Sequence, residues 1–222
     1  MADAAPRLVA VVDDARLARE DFGERLAAFL AAGLPAVWLR GRDLPAGRLE
    51  EIARAVRAAA SKAGAELWVS PPPDLARLAA ADRLHLPERG MPLGDARAAL
   101  EPGVRVGRSV HGVEAAVAAA GEGHDHLVLG TIHATASHPY VEPGGPERIR
   151  AVRSALDAAG LSPTLYTIGG IDPDRAAGAR AAGADGVVAL RALWDAADPA
   201  AAVAAFRAAL GAEPPGARRL EG

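Results

Sequence analysis

Thr164-Leu165-Tyr166-Thr167-Ile168-Gly169-Gly170-Ile171-Asp172-Pro173 and Gly183-Ala184-Asp185-Gly186-Val187-Val188-Ala189-Leu190 frame one unit of a repeating pattern. Each segment carries an apolar run of about five residues, the length of a strand buried on both faces. Asp172-Pro173 opens a helical stretch between them and Gly183 closes it, with an acidic cap, a proline in the first turn and a glycine past the last. The alternation extends outward in both directions. Apolar runs fall at 8–12, 36–40, 67–70, 83–86, 104–107, 126–130, 164–168 and 186–190. Alanine- and arginine-rich helical stretches follow them at 21–32, 49–63, 74–80, 93–100, 113–121, 146–159, 173–182 and 199–210. Such alternation predicts an α/β fold, a single (β/α)8 TIM barrel over residues 1–211. A doubly wound open sheet is the alternative, because periodicity does not report closure. No linker interrupts the pattern, which disfavours two small domains. Residues 212–222, with Pro214, Pro215 and Gly216, read as a disordered C-terminal tail.

The 222 residues are 50% hydrophobic but only 4% aromatic, so the core must come from many small close-packed elements. Cysteine is absent, which removes disulfides, thiol nucleophiles and thiolate metal sites. A formal charge of −3 offers no global attraction to nucleic acid or to an anionic membrane. No apolar run approaches the roughly 20 residues of a spanning helix, and Met1 to Arg7 lacks the design of a secretory signal. The chain reads as soluble and cytoplasmic, with no nucleic-acid or membrane partner; a homo-oligomer is compatible with it. Among 25 basic residues only Lys62 is a lysine. Schiff-base chemistry therefore has one badly placed candidate, and arginine must do the anion binding.

In either α/β architecture the chemistry sits where strands run into loops. Those positions hold Asp13 and Asp14, then Arg40 and Arg42, then Ser70 with Pro71-Pro72-Pro73, then His85 and Glu88. Arg108, Ser109 and His111 follow the fifth run; Thr131, His133, Thr135, Ser137 and His138 follow the sixth; Arg191 follows the eighth. Arg40, Arg42, Arg108 and Arg191 are expected to converge into a positive pocket for an anionic small molecule. Gly169 and Gly170, between a strand and a helix start, are expected to let backbone N–H groups approach a phosphate.

Val106-Gly107-Arg108-Ser109-Val110-His111, Leu129-Gly130-Thr131-Ile132-His133-Ala134-Thr135, Thr167-Ile168-Gly169-Gly170-Ile171 and Gly183-Ala184-Asp185-Gly186-Val187 together resemble the thiamine phosphate synthase/TenI family. The resemblance implies a TIM barrel acting in thiamine biosynthesis on a small phosphorylated thiazole. Synthases of the family join that thiazole phosphate to a hydroxymethylpyrimidine diphosphate with magnesium on the diphosphate. Some TenI-branch members instead tautomerise a carboxythiazole phosphate with a histidine.

Residue by residue, the synthase pattern Gln-Leu-Arg-x-Lys is here Trp38-Leu39-Arg40-Gly41-Arg42. The Asn-Asp pair that brings one magnesium ligand is Ser70-Pro71, and the second magnesium aspartate is Gly90. The diphosphate loop Pro-Thr-x-Thr-Lys is Ala134-Thr135-Ala136-Ser137-His138. Proline and glycine side chains cannot coordinate a hard cation. These departures favour the TenI-like branch, without metal or other cofactor, and leave magnesium tied to the synthase alternative. A non-catalytic phosphate-ligand binder is the third reading. The expected site is His133 and His138 as acid/base candidates, with Arg40, Arg42, Ser109, Thr131, Thr135, Ser137, Gly169, Gly170 and Arg191 binding the substrate and its phosphate. His111 is expected to orient its loop, and His124 and His126 to be structural.

Overall fold

The computed structural model describes residues 5–135 and 140–211. Eight parallel strands pair in chain order and close on themselves: β1 (Leu8–Asp13), β2 (Ala36–Arg40), β3 (Glu66–Val69), β4 (Arg83–Leu86), β5 (Arg105–Val110), β6 (His126–Leu129), β7 (Thr164–Ile168) and β8 (Gly186–Ala189). Closure is made by β8 on β1, with Leu8 opposite Val187 and Ala10 opposite Ala189. The helices are α1 (Asp14–Leu17), α2 (Phe22–Ala31), α3 (Ala46–Ala63), α4 (Pro73–Leu78), α5 (Leu93–Ala98), α6 (Val113–Gly121), α7 (Gly145–Ala158), α8 (Pro173–Ala181), α9 (Arg191–Trp194) and α10 (Pro199–Ala209). The architecture is thus the single (β/α)8 barrel that the alternation predicts. No helix among the described residues is long and apolar enough to cross a membrane. The tail 212–222 lies outside the described residues, as do Ser137 and His138.

Three elements differ from the expected pattern. Helices α1 and α9 are single turns of four residues, too short to show a period. β5 runs past Gly107 to Val110, pairing Gly107 with His126 and Val110 with Leu129. The glycine there makes room for a ring and does not end the strand: a Cβ on Gly107 would lie 2.2 Å from His126 Nε2.

Alternation along each strand divides the core in two. One set of side chains faces the helices, and the main apolar cluster joins strand residues such as Leu39, Leu67 and Leu127 to Phe29, Val56 and Phe206 from α2, α3 and α10. The other set fills the lumen, where Val9, Val11, Trp38, Trp68, Val128 and Tyr166 are buried. Burial on both faces is why the strands read as continuous apolar runs. At the end where the strands begin, the lumen is plugged by charge. Arg83, 1% exposed, holds Glu66 at 2.7 Å through Nε, and its guanidinium lies 4.8 Å from the Trp68 ring.

One device recurs three times outside that plug. Asp82, Asp125 and Asp185 each precede an even-numbered strand and accept the backbone N–H of Leu67, Val106 and Leu165 at 2.7, 2.7 and 2.8 Å. Each also pairs with an arginine, Arg57, Arg97 and Arg153 respectively, on α3, α5 and α7. These ties bind the helix layer to the strand starts. The opposite end is left for chemistry, as in barrels generally.

Candidate active site

At the strand ends lies a cavity of about 880 Å³, within the range of small-molecule sites. Period-two alternation decides who faces it. β2 places Trp38 and Arg40 inward, β4 places His85, β5 places Ser109, and Val128, Ile168 and Val188 come from β6, β7 and β8. Asp14 in α1 shapes the rim. Its carboxylate accepts the backbone N–H of Arg42 at 2.9 Å and of Asp43 at 3.2 Å, holding the loop from which Arg42 reaches the cavity. Asp13 instead caps α1 by accepting from Arg16 N.

Arg40 is the most informative side chain in the wall. It is half-buried and forms no side-chain hydrogen bond or ion pair with the described residues. Burial, and then the neighbouring Arg42, push its pKa down. Asp13 and Asp14 oppose that shift from a distance, but neither guanidinium forms an ion pair with the described residues, an arrangement suited to an anion. Three strands round the ring, Gly169 and Gly170 hold positive φ values of 105° and 60°. A Cβ on Gly170 would lie 2.6 Å from Ala134 O, and one on Gly169 would lie 2.6 Å from Thr131 Cγ2. Only glycine therefore lets this turn pack under the loop after β6. Arg191 closes the same side by donating to Thr135 Oγ1 at 2.8 Å. Thr131 is buried in the wall between the two sides.

Two expected placements change. Arg108 does not reach the cavity, because alternation turns Gly107 and Ser109 inward and Arg108 out. Its guanidinium donates to His124 Nε2 at 3.0 Å, Glu88 O at 3.1 Å and Met91 O at 2.7 Å. His133 is absent from the wall, which Gly130, Thr131, Ala134 and Thr135 form at that point. The N–H of His133 donates to Gly169 O at 3.0 Å, so the residue ties two loops together. Burial, and then the Arg175 charge, push its pKa down, with Asp172 opposing. The second histidine candidate, His138, and the hydroxyl of Ser137 lie outside the described residues.

Three wall residues went unread as site residues. Arg175 lines the cavity and donates to Gly170 O at 2.7 Å; no motif marks it. Trp38 donates its Nε1–H to Ser70 Oγ at 3.0 Å and lays its ring 4.4 Å from that of His85. His85 itself is buried, with Nε2 2.9 Å from Ser109 Oγ and Nδ1 3.2 Å from His126 Nε2. Inward alternation on β4 is the signal that could have found it. His124 is structural, held by Ala119 O at 2.9 Å. His111 sits at the rim 3.0 Å from Glu88.

Burial, and then the charge of Arg40, push the His85 pKa down to about 3. The unfolded chain takes up a proton at this residue near pH 6.5, and the folded chain does not. Stability contributed by the neutral form is therefore lost as pH falls below 6.5. Between pH 7 and pH 5 the loss from His85 is about 2 kcal/mol. His126, also pushed down by burial and then by His85, adds in the same direction. Urea denaturation at the two pH values should show this drop, and His85→Gln should shrink it.

The magnesium that the resemblance implies for synthases does not fit the residues present. Among the described wall residues the single carboxylate is Asp172, and it caps α8 by accepting from Arg175 N at 2.9 Å. Ser70 is taken by Trp38, Pro71 and Gly90 have no donor atoms in their side chains, and Glu88 faces His111. No group of three His, Asp or Glu among the described residues could hold a metal. What the wall does supply is a pair of arginines, Arg40 and Arg42, on one side and the Gly169–Gly170 turn with Arg191 on the other.

Residues 8–193 match the family model described as thiamine monophosphate synthase. Across 179 residues the chain is 40% identical to the thiamine-phosphate synthase of Moorella thermoacetica, covering 80% of this chain and 83% of that one. The thiamine-phosphate synthase of Methanoculleus marisnigri is 39% identical across 184 residues, 82% of this chain and 84% of that one. The structure of a thiamine phosphate pyrophosphorylase from Pyrococcus furiosus superposes with a TM-score of 0.80 at 26% identity, covering 92% and 95% of the two chains.

Proposed function

The chain belongs to the thiamine monophosphate synthase family, and we propose on that premise that it is a transferase joining a thiazole phosphate to a pyrimidine diphosphate. The observation that carries this reading is the match of most of the chain to relatives named thiamine-phosphate synthase, and the cavity supports it with two candidate anion sites, at Arg40 with Arg42 and at Gly169 with Gly170. A carboxythiazole phosphate also presents two anionic groups, a phosphate and a carboxylate, so these sites fit either reaction and the choice between them rests on the relatives. Here the Gly169–Gly170 turn with Arg191 suits a monophosphate. Arg40, which has no ion pair among the described residues, is left with Arg42 for a second anionic group. The isomerase reading favoured by the sequence loses its main base candidate, because His133 is off the wall.

The residues divide the work accordingly. Arg40 and Arg42 hold the diphosphate and stabilise the charge that grows on it as it leaves; fixed charges in a water-poor wall act most strongly where charge develops. Gly169, Gly170 and Arg191 anchor the thiazole phosphate and hold its ring against the reacting carbon, converting an encounter of two substrates into a positioned step. The Trp38 and His85 rings give the pyrimidine an aromatic wall. No step is assigned to a metal.

Incubating the protein with both phosphorylated halves tests the reading. The joined product and released diphosphate, followed by mass spectrometry, are expected to form, and to survive EDTA. Absence of product with magnesium and with EDTA, from protein that binds both halves, would overturn it.

A further inference from the structure

Ser109 meets the cavity through a hydroxyl whose orientation is set from behind. His85 Nε2 lies 2.9 Å from Ser109 Oγ, and His85 Nδ1 lies 3.2 Å from His126 Nε2. His126 Nδ1 is buried with no hydrogen-bond partner among the described residues. The three groups form one line from the lumen to the cavity wall.

Both rings are neutral, because burial opposes charge on each and no carboxylate is hydrogen-bonded to either. A neutral imidazole carries one N–H and one lone pair, so each ring that donates on one side accepts on the other. Two complete arrangements satisfy both contacts. In the first, His126 Nε2–H donates to His85 Nδ1 and His85 Nε2–H donates to Ser109 Oγ. The orphaned atom is then a lone pair on His126 Nδ1. In the second every direction is reversed, and the orphan is an N–H buried beside Trp68 and Tyr166, whose ring centroids lie 4.6 and 6.0 Å from that of His126. Orphaned buried N–H groups are rarer and costlier than under-used acceptors. The first arrangement wins.

We infer that His85 and His126 are positioning residues which keep the Ser109 proton free, so that the hydroxyl can donate to an acceptor atom of a ligand in the cavity. With one of its two lone pairs taken by His85 Nε2–H, Ser109 keeps its proton for an acceptor on the ligand, such as a phosphoryl oxygen. In the reversed arrangement that proton would be spent on His85 Nε2 and only lone pairs would face the ligand. Gly107 makes the arrangement possible, since any side chain there would occupy the place of His126 Nε2. The identity of the ligand rests on the proposed transferase reading; the direction of the protons does not.

Long-range proton–nitrogen correlation on full-length protein labelled with nitrogen-15 histidine reads both tautomers at pH 7 without ligand. Both His85 and His126 are expected with the proton on Nε2. A proton on Nδ1 of either ring overturns the inference, whether or not the joined product forms. A second arm titrates inorganic pyrophosphate into three variants. Ser109→Ala and His126→Phe are each expected to weaken binding about tenfold, the scale of one lost hydrogen bond to a charged group. His126→Gln, which restores an N–H near the Nε2 position, is expected to recover most of it. Wild-type affinity in folded His126→Phe, or equal losses in the Phe and Gln variants, would contradict the relay.

Discussion

Replacing Arg40 with glutamine is expected to lower kcat/KM for the pyrimidine diphosphate by about 100-fold or more, with no loss of thermal stability. The two halves of that result have one origin. Arg40 is half-buried beside Arg42 and has no acceptor among the described residues. A cation in that position adds little to the fold, because Asp13 and Asp14 offset its desolvation only in part. Glutamine removes the charge and keeps much of the stem, so the melting temperature should hold or rise. What is lost is a fixed charge aimed at a leaving group, and removal of one such preorganised donor typically costs about 100- to 1,000-fold. Steady-state kinetics with a melting curve on the same preparation checks both halves. A fall in melting temperature with unchanged kinetics would make Arg40 a structural residue.

Gly107→Ala is expected to be the most damaging single methyl in the barrel. The added Cβ would lie 2.2 to 2.3 Å from three atoms of the His126 ring. That ring cannot swing away, since Trp68, Tyr166 and His85 surround it with ring centroids 4.6, 6.0 and 5.3 Å off. Overpacking of this kind costs about 3 kcal/mol, which for a domain of this size lowers the melting temperature by about 6 to 12 °C. Differential scanning calorimetry reads the shift directly. His126→Ala in the Gly107→Ala background should recover part of it by making room for the methyl. A lone Gly107→Ala variant that melts with the wild type would mean that the ring has space that its neighbours deny it.

Much of this was legible before any coordinates. The alternation of five-residue apolar runs with capped helices gives the barrel, because strands buried on both faces carry no polar positions to blur their length. Gly169 and Gly170 are legible as a tight turn between a strand and a helix, and both hold positive φ there. Other features were hidden for physical reasons. Gly107 reads as a strand end, and its true role is set by a ring on the next strand, a contact between residues far apart in sequence. Arg108 reads like Arg40 as a strand-end cation; only strict alternation, with Ser109 facing in, turns it outward to His124 and two carbonyls. His133 sits where the resemblance draws attention, yet the path of the loop after β6 gives the wall to Thr131 and Ala134 instead. His85 stands among the strand-end positions with no role that its neighbours in sequence suggest. Its importance lies in partners on β5 and β6 that no local pattern announces.

Two candidate anion sites in one cavity are the centre of the account, and simultaneous occupancy tests them most directly. Thiazole phosphate titrated calorimetrically into protein already saturated with inorganic pyrophosphate should bind with undiminished stoichiometry and an affinity within a few-fold of that for the free protein. Mutual exclusion, with the apparent dissociation constant rising in proportion to pyrophosphate, would reduce the two sites to one and contradict the account.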